Sequence, residues 1–322
     1  MSLKLLSLDE VKQCITMKQA IDAMERAFTQ LAENKVRLLL RTGIPVEEEN
    51  ALTLAMPGYL ASDKVLGLKL VSIFPNNLLN NKPSITGCIL LLDAATGEAK
   101  VLMDAAYLTA LRTGAVSGLA TKYFSQEGAS HVAIIGSGIQ AVTQLEAVAA
   151  VRPIKQVSIW SRNQKNAAIF ATKVAGKFDI QVCSSIQLAI KDADIICTAT
   201  SSTEPLIHFN EIKPDAHINA IGSHTKDMKE VANSVLGKAV VVVDQLGAAL
   251  AEAGEIVSAV EAGILPREDI VEIGHWLLEK EGDYKKKLTV FKSVGLAIQD
   301  LSVAEVVYQN AVRKKLGSPF SL

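Results

Sequence analysis

The stretch HVAIIGSGIQA, residues 131 to 141, constrains the fold more than any other: an apolar run breaks on Gly136 and Gly138 and reopens on small residues. Gly136-Ser137-Gly138-Ile139-Gln140-Ala141 satisfies the pattern G-x-G-x-x-A. In such a turn the first glycine permits the tight bend and the second lets the backbone approach a pyrophosphate, while the small alanine lets the helix pack on its strand. The N–H groups at the start of that helix then face the anion. The pattern alone is weak evidence. Here it follows a strand, opens a helix and is trailed by five more strand candidates, QVSIWS, IQVCS, DIICTAT, HINAIG and AVVVVDQ. Apolar runs of this kind, separated by helices, indicate a parallel sheet buried on both faces. Residues 125–297 are therefore expected to form a Rossmann-type dinucleotide-binding domain in an α/β chain. Thr200 and Gly222, the last residues of DIICTAT and HINAIG, join Gly136, Ser137, Gly138, Ile139 and Gln140 as candidate cofactor contacts.

The second strand of that domain identifies the cofactor. An NAD site usually has an acid there to bond the ribose hydroxyls, but the stretch reads IWSRNQ, with Ser161 and Arg162. A carboxylate would repel a 2′-phosphate, whereas a hydroxyl and a guanidinium can bind one through charge-assisted hydrogen bonds. NADPH is favoured, with NADH as the alternative. The competing reading of Arg162 is a solvated residue at a strand end.

About 130 residues precede the motif, far more than a cofactor fold needs before its first strand. Ser7-Leu8-Asp9-Glu10 and Thr16-Met17-Lys18-Gln19 read as capping boxes. Ile21, Met24, Phe28 and Leu31 then share one helical face. From about residue 37 the period shifts towards two, and ITGCILLLD and GEAKVLMDA flank a turn as a hairpin. Helix followed by mostly antiparallel sheet is expected, and residues 1–124 with the amphipathic tail 298–322 form a second, α+β domain.

Two cations stand out in it. Lys69 sits in VLGLKLVSIF with apolar residues on both faces, and Arg112 is the lone charge between Asp104 and Lys122. Such side chains often reach out to water. In a chain with a hydride cofactor, the pair also suits a pocket for an anionic substrate.

With Lys+Arg 33 against Asp+Glu 34, the net charge of -1 offers no block for nucleic acid or a membrane surface. No apolar stretch has the length of a membrane span, and Met1-Ser2-Leu3-Lys4 does not open a signal peptide. Cys14, Cys88, Cys183 and Cys197 are widely spaced in apolar contexts, as expected of reduced thiols in a cytoplasmic protein. Neither they nor the five histidines show the spacing of metal ligands.

LKLVSIFPNN, LTALRTGAVSGLA, VAIIGSGIQA, INAIGSH and TVFKSVGLAIQD, in this order, resemble the ornithine cyclodeaminase/mu-crystallin family over nearly the whole chain. The resemblance implies a homodimer formed through the first domain, with the C-terminal helix folded back onto it. It implies that Arg41 and Arg112 hold a substrate carboxylate and that Lys69 faces the reacting carbon and nitrogen. The chain departs from the cyclodeaminase pattern after Gly222, where His224 stands in place of an Asp that serves as a base. His224 has three readings: a group that acts near the nicotinamide, a cap on the following helix, or a side chain that points to solvent. The expected activity is reduction of imines of 2-oxo acids, 1-pyrroline-2-carboxylate to proline above all. The rivals are ornithine cyclodeamination, reductive amination as in alanine dehydrogenase, and a mu-crystallin-like protein that binds NADPH and a small ligand without turnover.

Overall fold

The computed structural model describes residues 2–39 and 41–321. The chain opens with β1 (Ser2–Leu6), α1 (Leu8–Gln13) and α2 (Met17–Ala32). The strands β2 (Val36–Leu38), β3 (Thr42–Val46), β4 (Ala51–Leu60), β5 (Val65–Ile73), β6 (Ile85–Asp93) and β7 (Ala99–Asp104) lead into α3 (Ala106–Phe124). Alternation then begins with β8 (His131–Ile135), α4 (Ile139–Val151), β9 (Gln156–Trp160), α5 (Gln164–Val174), β10 (Asp179–Val182) and α6 (Ile186–Ile190). It continues through β11 (Ile195–Thr198), β12 (His217–Ala220), α7 (Asn233–Leu236), β13 (Val240–Val243), α8 (Leu246–Glu252) and α9 (Gly254–Glu261). The last elements are β14 (Val271–Glu272), α10 (Ile273–Glu279), β15 (Thr289–Lys292), α11 (Ala297–Lys314) and β16 (Ser318–Ser321).

These elements form two compact units. Met1–Arg112 with Leu296–Leu322 make the first and Thr113–Gly295 the second. The division falls inside α3, after Arg112, rather than at the helix end near residue 124.

In the first unit the sheet order is β16-β1-β7-β6-β5-β4-β2, with β3 also on β4. The β1–β7 pair is parallel and the remaining pairs are antiparallel. Both capping boxes are made, Ser7 with Glu10 and Thr16 with Gln19. Successive strand residues face opposite sides, so Val65, Gly67, Lys69 and Val71 of β5 share one buried face. Helix α11 packs on β4, β5 and β6. Gly58 and Gly67 oppose each other in the β4–β5 ladder. A Cβ on either would come within 3.1 and 2.8 Å of Leu301, so the two glycines leave a depression that this fully buried leucine fills. Burying such a side chain contributes about 1.5–3 kcal/mol. The opposite face carries Leu66, Leu68, Leu90 and Leu92, half-buried, and the exposed Leu70.

The second unit holds the sheet β10-β9-β8-β11-β12-β15-β13-β14, parallel throughout. Apolar clusters cover both faces, one around Ile134, Leu145 and Phe170, the other around Ile196, Ile218 and Val290. That is why its strands read as unbroken apolar runs. The end of α3 is fixed by Arg152, whose Nη2 donates to the carbonyls of Thr121 (2.9 Å), Lys122 (2.8 Å) and Ser125 (2.9 Å). Thr121 O also accepts from Ser125 N at 3.1 Å, so the guanidinium adds to the bonding at a helix end, where carbonyls run short of partners within the helix. Strand order reverses between β8 and β11, with β9 and β10 on one side and β12 on the other. In an open α/β sheet, a ligand binds outside the strand ends at such a reversal.

Candidate active site

Lys69 is 1% exposed, flanked across the ladders by the buried Met56 and Ile89. An ammonium so placed requires a partner. Its Nζ donates to Asp300 Oδ1 at 2.8 Å. The same oxygen accepts from Arg112 Nε at 3.1 Å, and Arg112 Nη1 donates to Gln299 Oε1 at 2.7 Å. Neither Arg112 bond uses Nη2. Asp300 is fully buried, and its Oδ2 has no hydrogen-bond partner among the described residues. Arg112 is buried too, so the solvated reading of Lys69 and Arg112 fails: α11 supplies a carboxylate and an amide that meet them inside the fold.

Burial pushes the Lys69 ammonium down to about 8; the Asp300 carboxylate opposes this, and the Arg112 and Arg41 guanidiniums add to it. Arg41 is half-buried, and its charge reaches Lys69. Lys69 and Arg112 against the one carboxylate of Asp300 leave a surplus of positive charge, which complements a small anion. Asp300 escaped the sequence reading. An acid in the first turn of a helix ordinarily serves the helix dipole, and nothing in its spacing ties it to Lys69.

The second unit gathers a different set. Gly136 has φ +114°, and a Cβ there would collide with the Ala199 carbonyl. Its N–H donates to Trp160 O at 2.9 Å, which ties the turn to the end of β9. Gly138 caps α4, and beyond its own chain neighbours no atom of the described residues lies within 4 Å of where its Cβ would stand. The space before the first N–H groups of α4 is open, as close approach of a pyrophosphate demands. Ile139 is 75% exposed at this helix start, and Gln140 is half-buried behind it.

A cavity of about 280 Å³ lies beside the turn, lined by Gly136, Ser137, Ser161, Arg162, Asn166 and Thr200 among others. Ser137 Oγ donates to Ser161 Oγ at 2.9 Å, and Arg162 is exposed at the cavity rim. The residues named bring three hydroxyls, a guanidinium and an amide to the cavity and no carboxylate, a donor set that suits an anionic group of a dinucleotide. Thr200 and Gly222 are less free than their positions suggest, because the N–H groups of both donate to the buried Glu230. His224 is exposed, with Nδ1 3.0 Å from Gly222 O. The helix-cap reading is corrected, because a turn follows and the next helix begins only at Asn233, while the exposure of His224 agrees with the reading of a side chain that points to solvent. Among the described residues no helix is long and apolar enough to cross a membrane.

The family model described as "Ornithine cyclodeaminase/mu-crystallin family" matches residues 2–315. The ketimine reductase mu-crystallin of Rattus norvegicus is 36% identical over 310 residues, covering 95% of this chain and 96% of that protein. The structure of Thermococcus litoralis Δ1-pyrroline-2-carboxylate reductase in complex with NADH and L-proline superposes with a TM-score of 0.93 at 36% identity, covering 98% of this chain and 99% of that one. A dimeric archaeal alanine dehydrogenase with bound NAD gives a TM-score of 0.92 at 34% identity, covering 100% of both chains. With a dinucleotide cradle in one unit, a buried Lys–Asp–Arg cluster in the other and a match along nearly its whole length, the chain belongs to the ornithine cyclodeaminase/mu-crystallin family.

Proposed function

We propose that this protein is an NAD(P)H-dependent reductase of imines of 2-oxo acids, with 1-pyrroline-2-carboxylate, reduced to L-proline, as its best-fitting substrate. The observation that carries the proposal is the cluster of Lys69, Arg112 and Asp300, supported by relatives named for this chemistry. When bound, the reduced dinucleotide supplies a hydride to the imine carbon. The residues of this chain do the rest. Arg112, with Nε and Nη1 spent on Asp300 and Gln299, offers Nη2 to the substrate carboxylate, and Arg41 adds a second charge. Such positioning is a large part of a rate gain. Lys69, held protonated at neutral pH by Asp300, gives a proton to the imine nitrogen, which makes the neighbouring carbon a better acceptor. One hydride and one proton convert C=N to CH–NH, and Lys69 regains its proton from water.

The dinucleotide is held by Gly136, Ser137, Gly138 and the start of α4 at Ile139 and Gln140, with Thr200 and Gly222 alongside. Ser161 and Arg162 favour NADPH over NADH. A cytoplasmic homodimer is the form proposed, since the four cysteines are free and the outward leucines of the first sheet make a large apolar face. His224, in place of an acid, argues against ornithine as substrate, because an imidazole does not attract the distal ammonium.

The test is a panel of 1-pyrroline-2-carboxylate, pyruvate with ammonia, and ornithine, each with both nicotinamide cofactors. Dinucleotide oxidation matched by proline formation is expected, with no ammonia released from ornithine. Tight dinucleotide binding without turnover on any of them would make the protein a binder, and ammonia from ornithine would make it a cyclodeaminase.

A further inference from the structure

Glu230 lies fully buried in the second unit, yet neither the sequence patterns nor the chemistry above uses it. Its Oε1 accepts from Thr200 N and Thr200 Oγ1, both at 2.7 Å. Its Oε2 accepts from Thr198 Oγ1 at 2.8 Å and Gly222 N at 2.7 Å. The four donors come from the ends of two adjacent strands, β11 and β12. A Cβ on Gly222 would strike both Glu230 Oε1 and the Thr200 backbone, so the two loops close on the carboxylate with no room to spare. From the next strand, Lys292 Nζ donates to Ser223 O and Ser223 Oγ, each at 2.6 Å, and stands 3.3 Å from Glu255 Oε1. Ser223 Oγ in turn donates to Glu255 Oε2. The Gly222–His224 turn is thereby fastened on both sides.

We infer that Glu230 is a positioning residue for the dinucleotide: it locks the cavity-lining loop at Thr200 to the Gly222–His224 turn and so fixes the spacing that the whole cofactor must span. The inference rests on the dinucleotide part of the function proposed above and not on its substrate. In a doubly wound sheet the two halves of the cofactor lie over the two halves of the strand order. The adenosine side falls at β8 and β9, the Thr200 loop that ends β11 lines the cavity beside them, and the other side lies at the end of β12. Only the intact dinucleotide reads their separation.

A carboxylate is required for this, not simply a polar group. Each oxygen faces one backbone N–H, and a backbone N–H cannot reverse its role as a hydroxyl can. An amide in either orientation sets an N–H against Thr200 N or Gly222 N and leaves it unpaired in the interior, which is costly.

Calorimetric titration with NADPH and with its adenosine fragment, 2′,5′-ADP, tests the idea on the full chain. Glu230→Gln is expected to weaken NADPH by about tenfold and 2′,5′-ADP by less than about threefold. A role confined to stability would not separate the two ligands. Equal weakening of both, or no weakening of either, overturns the inference. If Glu230→Gln does not fold, Thr198→Val removes one donor while keeping the shape. The same split is then expected at about threefold, and its absence overturns the inference. An unaltered protein that binds neither NADPH nor NADH would overturn both this inference and the dinucleotide reading beneath it.

Discussion

Replacing Asp300 by asparagine removes one negative charge and almost no volume from the heart of the first unit. The lost charge stands 2.8 Å from Lys69 Nζ. At an effective dielectric of about 20, that separation corresponds to an attraction of about 6 kcal/mol, an upper bound. The asparagine oxygen still accepts from Lys69, so the smaller range of about one to three pH units seen for neighbouring opposite charges is the better guide. From about 8 in the native protein, the middle of that range takes Lys69 to about 6. At pH 7.5 the protonated fraction then falls from about three quarters to about 3%, while at pH 5.5 it stays above about 70%. Steady-state imine reduction across this range should therefore show kcat/KM of Asp300→Asn about 25-fold below native at pH 7.5 but within about twofold at pH 5.5. Titration of the substrate itself is common to both proteins and cancels in the ratio. A ratio constant with pH would refute the reasoning, because it would show that Asp300 shapes the site without governing the proton on Lys69.

Arg112→Lys keeps the charge but cannot reach Asp300 and Gln299 together; kcat/KM should fall at least about thirtyfold, an effect of about 2 kcal/mol, with the NADPH Kd unchanged within about threefold by fluorescence titration. Native protein should use NADPH about tenfold better than NADH, a difference of about 1.4 kcal/mol. Ser161→Asp should reverse the order in kcat/KM by repelling the 2′-phosphate, and equal use of both cofactors by the native protein would remove the role given to Arg162. His217 is fully buried against Thr289 and Asn219, and burial holds its imidazole at about 3. The unfolded chain takes up this proton as pH falls through about 6.5 while the folded one does not, so stability is lost on acidification. Between pH 7 and 5 the loss from this residue is about 2 kcal/mol, and urea unfolding of His217→Gln should show a correspondingly flatter dependence on pH.

The parallel sheet was legible because its strands are covered on both faces, so each appears as an apolar run with a helix to follow. Gly136 was legible as well, since its position before a helix leaves little else for it to be. The two outermost strands on one side of the first sheet, β16 and β1, were not. β16, Ser-Pro-Phe-Ser, is exposed throughout and carries no burial pattern, and β1 is a short strand directly ahead of a capping box. Lys69 and Arg112 betrayed themselves as charges in apolar company. Asp300 and Glu230 did not, although their buried contacts rival those of the two cations. Each lies near charged or polar neighbours in the sequence, and each finds its partners only through tertiary contact. A pattern of spacing registers what an element buries, whereas these carboxylates are defined by what other elements bring to them.

Asp300 follows Lys69 by 231 positions, while Thr113–Gly295, the whole second unit, is continuous in the chain. At ribosomal speeds the interval between the two residues is about ten to fifty seconds. Throughout it the nascent sheet carries an ammonium with no counter-charge and a groove at Gly58 and Gly67 with no leucine to fill it. The second unit is under no such delay. The protein is therefore built out of order: the part synthesised first is finished last, and one helix, α11, delivers both the plug and the carboxylate. A chain that stops before Leu296 would keep every residue of the dinucleotide cradle and lose the means to hold Lys69 charged.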